Sequence, residues 1–364
     1  MRPSIWSERA GSNGAPAPGS ALLVVQTSFL GDVVLTTPLV TALRRHLQPR
    51  RLAVLVRPES APLLAGHPDV DQVLVDDKRG CDRGLAGLLR GARHLRAERF
   101  DVAVSPHRSW RTALLLAAAG IPYRVGFRQS RGALLYHRRV ERDRSLHDVE
   151  RNLALLAPFG DACAVAPLRL PVRPEAAARA GALLPAGSGP LVGIAPGSVW
   201  ATKRWTPAGF AAVVAGLADD GARCVLLGGP ADAALTEDIW ARAGRRATVL
   251  AGRTDLPALV AVIDRLALLI ANDSAPMHIA CARGVPVVAV FCATTPALGY
   301  GPYGARATVV EADLACRPCA RHGGRRCPRG TDDCMRLVEP AHVLAAARAA
   351  LTEGAAAAAA DPRA

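Results

Sequence analysis

The chain has 364 residues, half of them hydrophobic, which suits two globular domains and excludes a disordered chain. The formal charge of +14 comes mostly from arginine, a residue suited to phosphate and carboxylate, so anionic partners are expected. Aromatic residues make up only 4%, too few for a base-stacking surface, and the basic residues are dispersed, so nucleic acid is not an expected partner. Apolar runs such as Ala113 to Ala119 are too short to cross a bilayer.

Residues 1–20, rich in Gly, Ser, Ala and Pro, read as a loose leader without the apolar core of a signal peptide. Leu22 to Val25 predicts a buried strand, followed by a Gly31-Asp32 turn and a helix from Val33 through Leu43. Further strands are expected at Leu52 to Val56, Val73 to Val75 and Val102 to Val104, separated by helix-length segments. These make a first domain over 21–170, and 171–189, with its Ala-rich helical piece, is the expected linker. A second series begins at Leu191 to Ala195 and continues through Cys224 to Leu227, Thr248 to Leu250, Leu268 to Ile270 and Val287 to Phe291. It ends in an Ala-rich helix from Pro340 to Leu351, giving a second domain over 190–352 and a low-complexity tail at 353–364. The expected fold class is α/β: two Rossmann-like, doubly wound halves with ligands in a central cleft, at the carboxyl ends of the strands.

The segments that follow strands are therefore the ones to inspect. Asp32 opens a helix after the first strand, where a carboxylate serves either as a general base or as a cap complementing the helix dipole. Pro196-Gly197-Ser198 is a turn with free N–H groups, and Lys203 and Arg204 follow closely; the segment is either an anion nest or a solvated basic loop. It is not a Walker A loop, because the Gly-x-x-x-x-Gly-Lys spacing is absent. Gly228-Gly229-Pro230-Ala231-Asp232 and Gly252-Arg253-Thr254 are further strand-end turns, able to line a nucleoside pocket or simply to connect elements. Asn272-Asp273-Ser274 stops a buried strand and opens a helix with Pro276 in its first turn, the setting of a phosphate site or of a plain β–α turn. Cys316, Cys319, Cys327 and Cys334 are spaced Cys-x2-Cys-x7-Cys-x6-Cys, which reads either as a structural zinc knuckle or as four reduced thiols. The other cysteines, Cys81, Cys163, Cys224, Cys281 and Cys292, are scattered and read as small apolar residues. No His or carboxylate cluster accompanies the turns, so neither a catalytic metal nor a cofactor is expected.

Three segments in this order resemble glycosyltransferase family nine, the bacterial lipopolysaccharide heptosyltransferases. They are Leu30-Gly31-Asp32-Val33-Val34-Leu35-Thr36-Thr37-Pro38-Leu39, Pro196-Gly197-Ser198 with Lys203, and Asn272-Asp273-Ser274-Ala275-Pro276-Met277-His278. Gly299-Tyr300-Gly301-Pro302-Tyr303-Gly304 and the cysteine loop look most like the heptosyltransferase II branch, and the resemblance runs from about Leu22 to Leu351. It implies a GT-B architecture and an inverting, metal-independent transfer of L-glycero-D-manno-heptose from ADP-heptose to a lipid A–Kdo-heptose core. By that resemblance Asp32 is the base. Lys203, with Ser198, Gly197 and the N–H groups near Ser274 and Ala275, would offset the leaving diphosphate. Asp273 would contact donor hydroxyls, with His278 supporting the same loop. Gly252, Arg253 and Thr254 would lie near the adenine and Asp232 near the ribose. Gly31 would lie on the acceptor side, while His107, Arg108 and Arg111, which follow a first-domain strand, either face acceptor phosphate or carboxylate or form a solvated helix start. The family usually has Gly where this chain has Ala275. The location implied is cytoplasmic, peripheral on the anionic inner-membrane surface.

Overall fold

A computed structural model describes residues 19–160, 166–304 and 306–359, and the chain divides into two compact units between Pro171 and Val172. The first unit holds strands β1 (Ala21–Val25), β2 (Arg51–Val56), β3 (Gln72–Val75), β4 (Val102–Ser105), β5 (Tyr123–Phe127) and β6 (Arg138–Val140). They form one sheet in the order β3-β2-β1-β4-β5-β6. The second holds β7 (Leu191–Ala195), β8 (Arg223–Leu226), β9 (Ala247–Val249), β10 (Leu268–Asn272), β11 (Val287–Phe291) and β12 (Ala307–Glu311). Their order is β12-β11-β10-β7-β8-β9, the same topology read from the other edge. Every pairing is parallel; Val24 lies opposite Val54 and Val104, and Ile194 opposite Leu226 and Ile270.

Parallel strands covered on both faces need continuous apolar runs, and β1, β7, β10 and β11 are buried at every position. Each fully buried Leu, Ile or Val side chain contributes about 1.5–3 kcal/mol to holding the layers together. Three strands went unpredicted. β6 is Arg-Arg-Val at a sheet edge and β12 is a half-exposed edge, so neither requires an apolar run. β5 carries Arg124 and Gly126, and a Cβ on Gly126 would sit 2.6 Å from the Tyr136 ring.

Three boundaries differ from expectation. The single helix expected over Val33 to Leu43 is two, Leu30–Val34 and Thr37–Leu47. Pro38 has no N–H for the Val34 carbonyl, which instead accepts the Thr37 hydroxyl at 2.8 Å. The expected linker contains the helix Pro174–Leu183, which packs in the second unit against the helix Leu256–Asp264, with Arg179 ion-paired to Asp255. The last helix, Pro340–Ala359, also runs past Leu351 into the expected tail, as a run of alanines allows. The leader lies outside the described residues apart from Gly19 and Ser20, and so does Cys163. Among the described residues no helix is long and apolar enough to cross a membrane.

In each sheet the winding reverses between two central strands, β1 and β4 in one and β7 and β10 in the other. The loops leaving the carboxyl ends of those four strands form the ligand-binding position of an open α/β sheet.

Candidate active site

At the first reversal point, Asp32 sits in the opening turn of the helix Leu30–Val34. Its Oδ2 accepts the Ser28 hydroxyl at 2.6 Å and the Phe29 N–H at 3.1 Å. Burial, and then the Asp148 carboxylate, push the Asp32 pKa up to about 6, against the opposing pull of Ser28, Phe29 and Arg142. Asp148 is buried, 2.5 Å from Arg142 and 3.7 Å from Arg151. Asn152 Nδ2 links Asp148 to the Leu35 carbonyl, at 3.4 Å to each, and so ties this cluster to the end of the Asp32 helix. Gly31 lies within the same helix, with no left-handed backbone angle. Asp32 thus braces a helix start and also titrates close to neutrality, as a general base must.

His107 and Arg111, expected to face either an anionic acceptor or solvent, are both engaged by partners within the first unit. His107 Nδ1 lies 3.0 Å from the Thr27 and Thr112 hydroxyls. Burial, helped by Lys78, Arg108 and Arg57, pushes its pKa down to about 3, so the ring is neutral. Arg111 donates to Asp76 at 2.8 Å and to the Asp82 carbonyl at 2.7 Å, which neutralises it. Arg108 is half-buried beside them. Among the described residues, two cations that the sequence reading missed reach the Asp32 loop. Lys78 Nζ donates to the Thr27 carbonyl at 2.5 Å and its hydroxyl at 3.2 Å, and Arg57 donates to the Ser28 carbonyl at 3.3 Å. Burial is the main cause that lowers the Lys78 pKa to about 8. Arg57 directly follows β2 and Lys78 closely follows β3, so their strand-end positions were the available signal.

At the second reversal point, Asn272 holds two loops together. Its Nδ2 donates to the Pro196 carbonyl at 2.6 Å and its Oδ1 accepts the Trp205 N–H at 3.0 Å. The neighbouring Asp273 carboxylate lies 2.5 Å from Lys203 Nζ and accepts the Thr294 hydroxyl at 2.7 Å. Thr294, beyond the end of β11, was not predicted. Arg204 donates to the Ser198 carbonyl at 2.8 Å and braces the Pro196–Ser198 turn. The Ser274 hydroxyl lies 3.3 Å from the Asn272 carbonyl and does not cap the helix Ala275–Arg283. The first N–H groups of that helix lack intrahelical acceptors and favour an anion. Ala275 needs no left-handed angle there, and His278 is buried one turn further along.

Three strand-end turns meet around Asp232. A Cβ on Gly197 would lie 2.5 Å from Asp232 Oδ1, and one on Gly228 2.7 Å from the Asp232 Cβ. The Gly229 N–H donates to Asp232 Oδ2 at 3.0 Å. Gly252, at φ +74°, donates its N–H to the Gly228 carbonyl at 3.0 Å. The adjoining Arg253 is exposed and Thr254 half-buried. A carboxylate that accepts hydrogen bonds here suits sugar hydroxyls and repels phosphate.

The four-cysteine loop departs from the zinc reading. Among the described residues, no group of three or more His, Cys, Asp or Glu side chains is placed to hold a metal ion. Cys334 is buried in the hydrophobic core, and Cys319 Sγ is directed at the Cys316 carbonyl at 3.3 Å. All four are free thiols. The loop is anchored instead by Arg317, which donates to the carbonyls of Phe291, Cys292, Ala312 and Thr294 and pairs with Glu311. It also flanks Lys203: the Gly324 carbonyl accepts the Thr202 N–H at 3.1 Å, and the Gly324 N–H donates to the Thr202 hydroxyl at 2.8 Å.

Two doubly wound parallel sheets with loops of this chemistry at their reversal points are the GT-B architecture of nucleotide-sugar transferases. The sequence model for glycosyltransferase family 9 (heptosyltransferase) matches residues 88–327. The chain is 30% identical to lipopolysaccharide heptosyltransferase 3 of Escherichia coli, over 73% of this chain and 82% of that protein. It superposes on a family 9 glycosyl transferase from Veillonella parvula with a TM-score of 0.84 and 25% identity, covering 93% and 99% of the two chains. Against the E. coli ADP-heptose lps heptosyltransferase II the TM-score is 0.76 at 24% identity, covering 92% and 99%, a likeness of fold. The chain belongs to glycosyltransferase family 9, the heptosyltransferases, and is a glycosyltransferase.

Proposed function

We propose that the chain transfers L-glycero-D-manno-heptose from ADP-heptose to a heptose-bearing lipid A–Kdo core, as heptosyltransferase II does, with inversion and without a metal. The observation that carries this reading is the division of chemistry between the two reversal points: a carboxyl of pKa about 6 at one, and a Lys203–Asp273 pair beside a helix start at the other. Asp32 takes the proton of the acceptor hydroxyl as its oxygen bonds to the anomeric carbon, while the bond from that carbon to the diphosphate breaks. Negative charge then grows on ADP. Lys203, Ser198, and the N–H groups of Gly197, Ser274 and Ala275 oppose it, the task a metal performs elsewhere. Asp273 orients Lys203 and accepts from donor hydroxyls, and His278 packs beneath that loop. Asp232 takes the ribose, and Gly252, Arg253 and Thr254 border the adenine. Arg108 and Lys78 meet the acceptor's anionic groups. The enzyme works at the cytoplasmic face of the inner membrane, where such an acceptor is held.

A second reading, favoured by the 30% identity to lipopolysaccharide heptosyltransferase 3, is the same transfer onto a different core sugar. Both are tested with purified protein, ADP-heptose and a set of core acceptors. ADP release should require a heptose-bearing acceptor and persist in excess EDTA. A strict divalent-cation requirement would overturn the metal-free mechanism, and a preference for another core acceptor would select the second reading.

A further inference from the structure

Among the large apolar side chains exposed in the first unit, four fall together: Leu85 (68%), Leu89 (43%), Trp110 (54%) and Leu134 (87%). Singly they would mean little, but they lie on three elements packed side by side. Leu85 and Leu89 are on the first turns of the helix Gly84–Ala97, Trp110 begins the helix Trp110–Ala118, and Leu134 is in the short helix Ala133–Leu135. Contacts join these elements directly. Arg111, next to Trp110, donates to the Asp82 carbonyl just ahead of the first helix. A Cβ on Gly132 would lie 2.5 Å from the Ala113 Cβ and 3.5 Å from the Trp110 Cα. Arg131 N–H also donates to the Arg108 carbonyl at 3.4 Å.

Both long helices start at the carboxyl rim of the sheet, after β3 and β4, the same rim from which the Asp32 helix leaves β1. Exposed arginines Arg83, Arg93 and Arg131 stand among the apolar groups. An exposed Trp with Leu neighbours inserts at the boundary between headgroups and acyl chains, and arginines around it pair with anionic headgroups. A protein partner would match the apolar groups, but the arginine setting favours a surface of dense negative charge.

We propose that this Leu85–Trp110–Leu134 rim is the face by which the chain docks on an anionic lipid bilayer. It would put the Asp32 rim toward the headgroups, so that a lipid-anchored acceptor need not leave the membrane. The inference deepens the proposed function and shares with it only the premise that the acceptor is held in a lipid surface.

The test uses the full chain with vesicles of phosphatidylcholine alone or containing about 30 mol% phosphatidylglycerol. Cosedimentation should be at least about tenfold stronger with the anionic vesicles and weaken in high salt. Tryptophan emission should shift to the blue on binding, and the shift should vanish in Trp110→Phe. Leu134→Asp and Leu85→Asp, at exposed positions, should each cut vesicle binding about tenfold. Transfer to a deacylated, water-soluble acceptor should remain unchanged in both. Equal binding to both vesicle types, or binding unaffected by either substitution, would overturn the inference. So would self-association of the chain that these substitutions abolish while vesicle binding persists, since the rim would then be covered by a second copy. Vesicle docking without transfer to any acceptor would leave the docking face standing and overturn the catalytic reading.

Discussion

A carboxyl held at a pKa of about 6 opposes folding whenever it is ionised. The Asp32 pKa is raised above its ordinary 3.8, so the folded chain holds that proton more tightly than the unfolded chain does. Its contribution is most favourable below about 4 and is lost as pH rises through about 6. Asp32→Asn should therefore melt at or above wild type at pH 8, with the difference gone near pH 4, while transfer is abolished; thermal unfolding across pH checks the first and product analysis the second. The ionised form is the working base, so the wild-type rate should fall as pH drops through about 6. Asp148 is the second largest cause of the raised pKa, and Arg142 opposes it. Asp148→Asn should move the acid limb of the rate profile to lower pH, and an unmoved limb would show that the cluster only supports the helix. The sequence made Asp32 legible because it opens a helix after a strand. Asp148 and Arg142 were not legible, since they come from a loop and a short helix far along the chain and meet Asp32 only through folding.

Among the elements, the strands that must be apolar throughout were all legible, and the half-exposed β3 and β9 were read as well from their short β-branched runs. β1, β7, β10 and β11 announce themselves because both faces are covered, whereas β6 and β12 sit at edges where arginine and glutamate are tolerated. The glycine turns were also legible, but not what they pack against. Gly197→Ala would drive a methyl into the Asp232 carboxylate, and an overpacked turn costs about 1–3 kcal/mol. Chemical denaturation should show that loss together with weaker ADP binding, and Asp232→Ala in the same chain should restore the stability but not the binding. The cysteine spacing drew attention to this loop, and what ties it down is its buried Arg317, which donates to carbonyls at and just beyond the ends of β11 and β12. Arg317→Met should destabilise by at least about 3 kcal/mol, because several backbone carbonyls lose their donor together. Replacing all four cysteines by serine should cost less than that single change; the reverse order in denaturation would restore the cysteines as the clamp.

On the scale of the whole molecule, the sequence disclosed two similar sheets because each alternates strand and helix in the same order, and the two sheets share one topology. It also pointed to both reversal points, where Asp32, Lys203 and Asp273 lie. It did not disclose which cations are free, because pairing depends on neighbours distant in sequence: Arg111 is neutralised by Asp76, and Lys78 reaches the Asp32 loop. The charge of +14 suits an anionic acceptor, but family membership rests on the sequence matches and the fold. The most direct test of the account is mass spectrometry of a heptose-bearing core acceptor incubated with ADP-heptose and either wild-type protein or Asp32→Asn. A gain of one heptose is expected with wild type and none with the variant, while both bind ADP equally. No gain with wild type, or an undiminished gain with the variant, would contradict it.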